Sequence, residues 1–269
     1  MGKILSEAGK HYGEGIIKEY SIKLTKELGK GYNISSLKRM RQFYLLYTKI
    51  IPSSQIYIKS ATMSHQLTWS HYVELLKFDD INKINYYINQ IETKNLSIRK
   101  LRKIIKEQEY ERLSESTKEK LKNNEELSLV DTIKNPIIIN NKNNIDNIKE
   151  KVLQKLILED LNNFLNQLGR GYSYIQNEYK IKVGDTYNYI DILLYNYVYK
   201  CFVVVELKVT ELKKEHIGQI EVYMNYIDYN IKDITDNKTI GLIVVKENNK
   251  YIIKYSSDNR IKSVQYQFT

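Results

Sequence analysis

The sequence predicts an α plus α/β protein, with a helical first half and a mixed β-sheet flanked by helices in the second half. In residues 1–120 apolar side chains recur every three or four positions, which is the helical period. Residues 114–147 lose this period and are rich in Asn, Ser, Lys and Glu. Strand-like apolar runs then follow one helix and surround another, an order typical of a mixed sheet. We therefore expect a helical domain over 1–120, a linker over 121–147 and an α/β domain over 148–269.

Charge also separates the two halves. Residues 1–120 carry 22 Lys and Arg against 13 Asp and Glu, a net charge of +9 out of the +10 of the whole chain. Such a basic half can face the phosphates of a nucleic acid or an anionic membrane surface. The alternative is a solvated basic surface without a partner.

Composition excludes several classes of protein. No apolar run approaches the ~20 residues of a membrane span, and the start MGKILSEAGK lacks a secretory apolar region, so we expect a cytoplasmic protein without a membrane partner. The single cysteine, Cys201, cannot form an internal disulfide, and no Cys/His zinc spacing is present. The sequence leaves assembly into a homo-oligomer open.

The helical half contains several short helices. One is expected over LKRMRQFYLLYTKI, capped by Ser35 or Ser36 after glycines that end the previous helix. Others are expected over residues 69–76, over 81–93 after a turn at Phe78, and after Ser97 as N-cap.

Short helices with tight turns suit a helix-turn-helix-like module, and an ordinary bundle with a basic outer face is the alternative. The candidate nucleic-acid-binding residues of this half are Lys38, Arg39, Arg41, Arg99, Lys100, Arg102 and Lys103.

The second half is predicted to begin with one amphipathic helix over residues 148–168. The strands are expected at YSYIQNEYKIKV, YNYIDILLYN, KCFVVVELKV, TIGLIVVKE and YIIKYSS, with SVQYQF as a last edge strand. The helix KKEHIGQIEVYMNYIDYNI lies between the third and fourth of these. The apolar triplet 137–139 inside the linker is expected to dock on a neighbouring element.

Three charges interrupt these apolar strands. In CFVVVELKVTE, Glu206 and Lys208 project from the same face because alternate strand residues share a face. Asp191 is the only charged residue of YNYIDILLYN. A buried carboxylate costs several kcal/mol unless it is paired or binds a metal. The acid of one strand and the acid and lysine of the next can therefore converge at one site.

Two carboxylates suit a hard divalent cation such as Mg²⁺ or Mn²⁺. Such an ion polarises a phosphoryl oxygen and lowers the pKa of a bound water. The alternative is structural, with a Glu206–Lys208 ion pair on an edge strand and Asp191 hydrogen-bonded to a loop.

The pattern of Asp191 followed by Glu-x-Lys at the end of an apolar strand resembles the PD-(D/E)xK nuclease superfamily. The stretch CFVVVELKVTELKKEHIGQIEVYMNYID resembles the YhcG-like nucleases in particular, and YGEGIIKEYSIKLTKELGKGYNISSLKRMRQFYLLY and NLSIRKLRKIIKEQEYERL resemble their N-terminal helical domain. The resemblance covers nearly the whole chain apart from the linker. It implies a restriction-endonuclease-like fold and hydrolysis of DNA, rather than RNA, by a metal-activated water.

The resemblance also implies roles for residues. Asp191 and Glu206 would be metal ligands, with the Leu207 carbonyl as a third oxygen, and Lys208 would be the catalytic lysine. Gln219 matches a glutamine near the family's site. Glu159 would reach the metal through water, or else be a solvated helix residue. Tyr223 lies one turn beyond Gln219 on the same helix face.

Two positions depart from the family. Glu178 stands where the family has a glutamine, which puts the metal environment in question, and Asn196 replaces a histidine that often follows the Asp strand. The function indicated is a Mg²⁺-dependent nuclease. The alternatives are a catalytically inactive nucleic-acid-binding protein on a nuclease fold and a helical half that assembles a protein complex.

Overall fold

The computed structural model describes residues 1–8, 14–50, 67–123, 125–141, 148–254 and 258–269. The chain divides into two compact units, Met1–Tyr110 and Glu111–Thr269. The first unit is helical and the second holds a mixed sheet with helices, so the predicted fold class is confirmed. No helix in the described part of the chain is long and apolar enough to cross a membrane.

The first unit is built from helices that bury a few apolar side chains each. Leu5, Ile17 and Leu37 form one buried cluster, and Leu101 is fully buried on the last helix. The helices of the described residues are α1 (Gly2–Ala8), α2 (Glu14–Leu28), α3 (Ile34–Ile50), α4 (Trp69–Leu75), α5 (Ile81–Lys94) and α6 (Ile98–Lys106).

Side-chain caps fix where these helices start. Ser97 accepts a hydrogen bond from the Lys100 amide at 3.4 Å, so the predicted cap of α6 is confirmed. For α3 the prediction of a serine cap is wrong. The Asn33 side chain accepts from the Ser36 amide at 2.9 Å, and the helix therefore begins at Ile34, two or three residues earlier than the serines suggested.

The second unit contains one six-stranded sheet in the described residues, in the order β1-β6-β5-β4-β3-β2. β2, β3 and β4 pair antiparallel, whereas β4, β5, β6 and β1 pair parallel. The elements are α7 (Glu115–Asn123), α8 (Leu129–Thr132), β1 (Ile137–Ile139), α9 (Glu150–Glu159), α10 (Leu161–Leu168), β2 (Tyr172–Val183), β3 (Thr186–Asn196), β4 (Cys201–Glu211), α11 (Lys214–Asn230), β5 (Ile240–Glu247), α12 (Lys250–Lys254) and β6 (Ile261–Phe268).

Two apolar cores cover the two faces of this sheet. Val203, Val205 and Leu207 of β4 belong to the core that contains the buried residues of α9 and α10. Val204 of the same strand belongs to the core that contains the buried residues of α11. The strict alternation predicted for this strand is therefore confirmed, and both faces are covered, as the parallel part of a sheet requires.

Two elements differ from the predictions. The helix predicted over 148–168 is two helices, because the Asp160 side chain accepts from the Asn163 amide at 3.3 Å and caps a new helix. YIIKYSS was predicted as a strand, but Lys250–Lys254 is helical and Asn249 accepts from the Tyr251 amide at 3.2 Å. Residues 255–257 of that prediction lie outside the described residues.

The expected linker contributes to the second unit. Ile137–Ile139 pairs with β6 as a parallel strand, so β6 lies inside the sheet and β1 forms that edge. The boundary between the compact units falls after Tyr110, ten residues before the end of the predicted helical domain. Arg112 donates to the Pro136 carbonyl at 2.7 Å and to the Gln167 side-chain oxygen at 2.6 Å, so the chain just after Tyr110 is bonded to the second unit.

Candidate active site

The site forms where β3 and β4 separate. Their backbone pairing runs from Asn196–Cys201 to Ile192–Val205 and ends there. One step further, the Asp191 carboxylate accepts a hydrogen bond from the Leu207 amide at 2.7 Å. The side chain thus takes the place of a backbone acceptor. Because the N–H and C=O of a strand residue point toward the same neighbouring strand, the Leu207 carbonyl also faces the β3 side.

Glu206 lies beside this gap and is almost completely buried, with 2% of its surface exposed. Its Oε1 accepts from the Lys208 ammonium at 2.9 Å and from the Gln219 amide at 2.9 Å. Its Oε2 is buried and has no hydrogen-bond partner among the residues that the structure describes. Burial, followed by the negative charge of Asp191, raises the pKa of Glu206 to about 7. Burial also raises the pKa of Asp191, against the hydrogen bond from Leu207.

Lys208 is the cation of this cluster. Its side chain is 13% exposed and lies 2.9 Å from Glu206 and 3.7 Å from a Glu150 carboxylate oxygen. Burial alone would lower the pKa of Lys208, but the bond to Glu206 and the nearby carboxylates outweigh it and raise the pKa. Lys208 therefore stays protonated, with its charge directed at the carboxylates.

Helix α11 supports the cluster from one side of the sheet. The Gln219 amide nitrogen donates to both Glu206 Oε1 at 2.9 Å and the Tyr223 hydroxyl at 3.0 Å. Tyr223 lies one turn further along and is buried, as the sequence spacing indicated. His216 lies in the first turn of the same helix, and burial together with the charge of Lys208 lowers the pKa of its imidazole.

Helix α9 supports the cluster with residues that the sequence analysis missed. The Gln154 amide donates to the Asp191 backbone carbonyl at 2.8 Å, and Glu150 lies one turn earlier, beside Lys208. The available signal was the spacing of four, which puts both polar residues on one helix face next to buried Leu153.

Glu159, the acid predicted from this helix, is not part of the cluster. It lies at the other end of α9, nine residues or about 13 Å along the axis from Glu150, and pairs with Lys155 at 3.9 Å. Glu150 occupies the position beside the site because the helix starts at residue 150 and its first turn, not its last, faces the end of β4.

The two residues that depart from the family pattern lie in different parts of the second unit. Glu178 has a positive φ of 48° in β2, and its charge contributes to the raised pKa of Asp191. Asn196 is fully buried at the far end of β3. There its side chain accepts from the Val198 amide at 3.0 Å and donates to the Arg170 carbonyl at 2.9 Å, which makes it a turn residue.

The donor set fits a hard divalent cation. Within the described ranges no three His, Cys, Asp or Glu side chains are arranged to hold a metal. What the site does offer is two neighbouring carboxylates with raised pKa values and one buried carboxylate oxygen without a partner. Mg²⁺ commonly binds one or two carboxylates and keeps several waters, so this set matches its preference.

The basic residues predicted to bind nucleic acid lie on α3 and α6 of the first unit. Lys38 and Arg39 are exposed on α3, while Arg41 is half-buried. On α6, Arg99 and Lys100 are exposed, but Arg102 contacts the Glu74 carboxylate at 2.8 Å and Lys103 lies 3.6 Å from Glu107. Two of the four α6 residues predicted to bind nucleic acid thus form ion pairs with acids of their own unit.

Comparisons with known proteins follow this division of the chain. The model of the YhcG PDDEXK nuclease domain matches residues 130–268, and the model of the DUF1016 N-terminal domain matches residues 1–112. A curated relative, "Putative nuclease YhcG" of Escherichia coli (strain K12), is 24% identical and covers 90% of this chain and 72% of its own length.

Two solved structures are similar over part of the chain. One is a repair endonuclease from Pyrococcus abyssi, with 14% identity, a TM-score of 0.31 and coverage of 46% of this chain and 48% of that one. The other is an EndoMS–dsDNA complex, with 14% identity, a TM-score of 0.33 and coverage of 48% of each chain. This chain spans about half the length of each.

Proposed function

The chain belongs to the YhcG PDDEXK nuclease domain family, and from this premise we propose that it is a metal-dependent nuclease that hydrolyses phosphodiester bonds in DNA. One observation carries the proposal. Within the described part of the chain, Glu206 has a buried carboxylate oxygen without a partner, next to a second carboxylate and a protonated lysine. A purely structural ion pair has no use for such an oxygen, since leaving it unpaired costs free energy.

Asp191, Glu206 and the Leu207 carbonyl would hold the metal. A bound Mg²⁺ or Mn²⁺ ion would supply charge that polarises the phosphate and lowers the pKa of a nearby water. The hydrogen bonds from the Leu207 amide to Asp191 and from Gln219 to Glu206 fix the orientation of the two carboxylates. Glu159 is not proposed as a ligand.

Lys208 supplies fixed positive charge in a partly buried site. Its ammonium group can donate to the attacking water or to a phosphate oxygen, and it stabilises the negative charge that develops at phosphorus. The pKa of Lys208 is raised, so it acts as a donor and electrostatic stabiliser, not as a base.

The helical unit is proposed to bind nucleic acid through the exposed basic residues of α3 and α6. Lys38, Arg39, Arg99 and Lys100 are exposed members of the predicted set. They would contact phosphates, which position a substrate without reading its sequence. Arg41, Arg102 and Lys103 are proposed as supporting residues of the same surface.

A cleavage assay tests the catalytic proposal. Single-stranded, duplex and branched DNA, and RNA of the same sequences, are incubated with the full chain and Mg²⁺ or Mn²⁺. We expect cleavage of DNA that EDTA abolishes and that added metal restores. Cleavage that persists in EDTA would contradict metal dependence, and cleavage of RNA alone would contradict DNA as the substrate.

A salt series tests the binding proposal. Affinity of the full chain for DNA should fall steeply as salt rises, since each phosphate contact releases counterions. Replacing Arg99 and Lys100 with Ala should flatten the slope of log affinity against log salt by roughly 2 on this basis. An unchanged slope would favour the alternative, in which the helical unit assembles a protein complex.

A further inference from the structure

The β2–β3 hairpin has an outer half that reaches beyond the rest of the sheet. β3 pairs with β4 only from Ile192 to Asn196, whereas β2 and β3 stay paired out to Val183–Thr186. β2 is the edge strand, so the outer half is a two-stranded ribbon without a further strand on either side among the described residues. The ribbon starts at Asp191, which is one of the site's two carboxylates.

The two faces of this ribbon differ sharply. On one face Ile181 and Ile190 are almost fully buried in the core that also contains residues of α11. On the other face the cross-strand pairs Tyr189–Lys180 and Tyr187–Lys182 lie side by side. Tyr187 is 57% exposed and Tyr189 is 53% exposed. The buried face anchors the ribbon, and the exposed face carries two aromatic rings and two cations.

The exposed face is suited to bases rather than to a protein core. The Lys180 ammonium lies 3.8 Å from the centre of the Tyr187 ring, so cation and ring already share one surface. The two tyrosines are two residues apart, about 6.6 Å along the strand, and Tyr189 is the same distance from Asp191. Exposed rings stack on unpaired bases, while lysines beside them contact the phosphates.

We propose that this face, formed by Lys180, Lys182, Tyr187 and Tyr189, binds an unpaired DNA strand next to the bond that is cleaved. The inference rests on the proposed nuclease function and specifies its substrate as DNA with an unpaired segment. The acids Glu178 and Asp185 flank the face, so stacking, more than net charge, supplies the affinity. A fully paired duplex offers its bases only inside the stack and gains little from the two rings.

The experiment uses the full chain carrying Asp191→Asn, so that binding is measured without cleavage. Tyr187→Ala and Tyr189→Ala are added together, and Tyr229→Ala, at a side chain 87% exposed near the end of α11, is the matched control. The probes are one fluorescein-labelled DNA strand, its duplex, and the single strand with one 2-aminopurine base.

We expect the double variant to bind the single strand about 25-fold more weakly or worse, since each of the two stacked bases contributes roughly 5- to 150-fold on alanine substitution. Duplex binding should change less than about two-fold, and quenching of 2-aminopurine by the protein should be lost. Replacing both tyrosines with Phe should keep binding and quenching, because the rings remain. The Tyr229→Ala control should match its parent.

Unchanged single-strand affinity together with unchanged quenching overturns the inference. An equal loss on duplex and single strand also overturns it, because the ribbon would then lie in a duplex groove. Failure of the nuclease proposal is distinct from both. In that case the chain with Asp191 intact cleaves no DNA with Mg²⁺ or Mn²⁺, whatever the ribbon binds.

Discussion

In the second unit, two charge clusters each contain one cation beside several carboxylates. The pKa of a carboxylate is lowered in one cluster and raised in the other. At the start of β5 and β6, Arg260 contacts Asp228 at 2.9 Å and donates to both oxygens of Asp258. The second oxygen of Asp228 accepts from the Thr239 amide and hydroxyl at 2.8 and 2.7 Å. Every carboxylate oxygen of that cluster is therefore paired.

The cluster around Lys208 is incomplete by comparison. Glu206 has one buried oxygen without a partner in the described ranges, and its pKa is raised to about 7, whereas the hydrogen bonds from Arg260 lower the pKa of Asp258. Since β4 and β5 run parallel, Arg260 lies near their starts and Lys208 near their ends. Charge composition alone therefore does not distinguish the structural cluster from the proposed catalytic one, whereas the unpaired carboxylate oxygen does.

The largest expected contrast is between Asp191→Asn and Asp258→Asn. The first should abolish cleavage but leave the fold intact, because an amide oxygen can still accept from the Leu207 amide. The second should keep the cleavage rate per folded molecule and lower the free energy of unfolding by about 1–3 kcal/mol, between the values for exposed and buried pairs. Single-turnover cleavage and urea unfolding of both variants measure this. Loss of activity in a folded Asp258→Asn protein would break the contrast.

A second contrast concerns the cations. Lys208→Ala should cleave about 10²–10³ times more slowly, the usual effect of removing one preorganised donor, while Mn²⁺ still binds. Glu206→Gln should lose Mn²⁺ affinity as well as cleavage. Calorimetric titration with Mn²⁺ separates the two.

Arg260→Ala is the control for Lys208→Ala, and it should lower stability with an unchanged rate. If Lys208→Ala cleaves at the rate of the unmodified chain, Lys208 is only an ion-pair partner of Glu206. The strand would then be structural, as Arg260 and its acids are.

The hydrogen bond from Gln219 to Glu206 should have a smaller effect. Gln219→Ala leaves Glu206 Oε1 with Lys208 alone, and losing such an orienting partner typically costs about 10- to 100-fold in metal affinity or activity. Thr239→Val removes a comparable hydroxyl donor from Asp228 and should leave cleavage unchanged. Mn²⁺ titration and initial cleavage rates compare the two, and equal effects would count against a special role for Gln219.

The smallest effect is a pH dependence of opposite sign in the two clusters. Glu206 holds its proton to about pH 7 when folded and to about 4.5 when unfolded, so the metal-free free energy of unfolding should fall as pH rises between these values. Asp258 has a lowered pKa, so its contribution is present above 3.8 and is lost as pH falls below that value. Urea midpoints in EDTA should lose the first slope in Glu206→Gln and the second in Asp258→Asn.

The central residues of the site could be read from sequence because they break a simple rule. Glu206, Lys208 and Asp191 are charges in strands otherwise built for burial, and alternation fixes their faces. Gln219 and Tyr223 followed from helical spacing and the family resemblance. The strands β2 to β5 were also predictable, because their apolar runs are long and bounded by turns.

The remaining features depend on choices that spacing does not encode. Glu159 was named from the family resemblance, which did not indicate Glu150. The break between the two helices at Asp160 depends on one side-chain cap. The apolar triplet 137–139 is too short to indicate a strand from sequence, and it forms one by pairing with the edge of β6. YIIKYSS has the composition of a strand, but the cap at Asn249 turns its first residues into a helix.

The hydrogen bond between Asp191 and the Leu207 amide has a consequence for spectroscopy. That amide donates a hydrogen bond to a carboxylate proposed to bind the metal, and its residue lies in the buried core of the sheet. Its proton resonance should therefore shift downfield while Asp191 is ionised and move again when a divalent cation withdraws charge from the same carboxylate. A single backbone peak of a ¹⁵N-labelled protein thus reports the ionisation of Asp191 and the arrival of metal, with no substrate present.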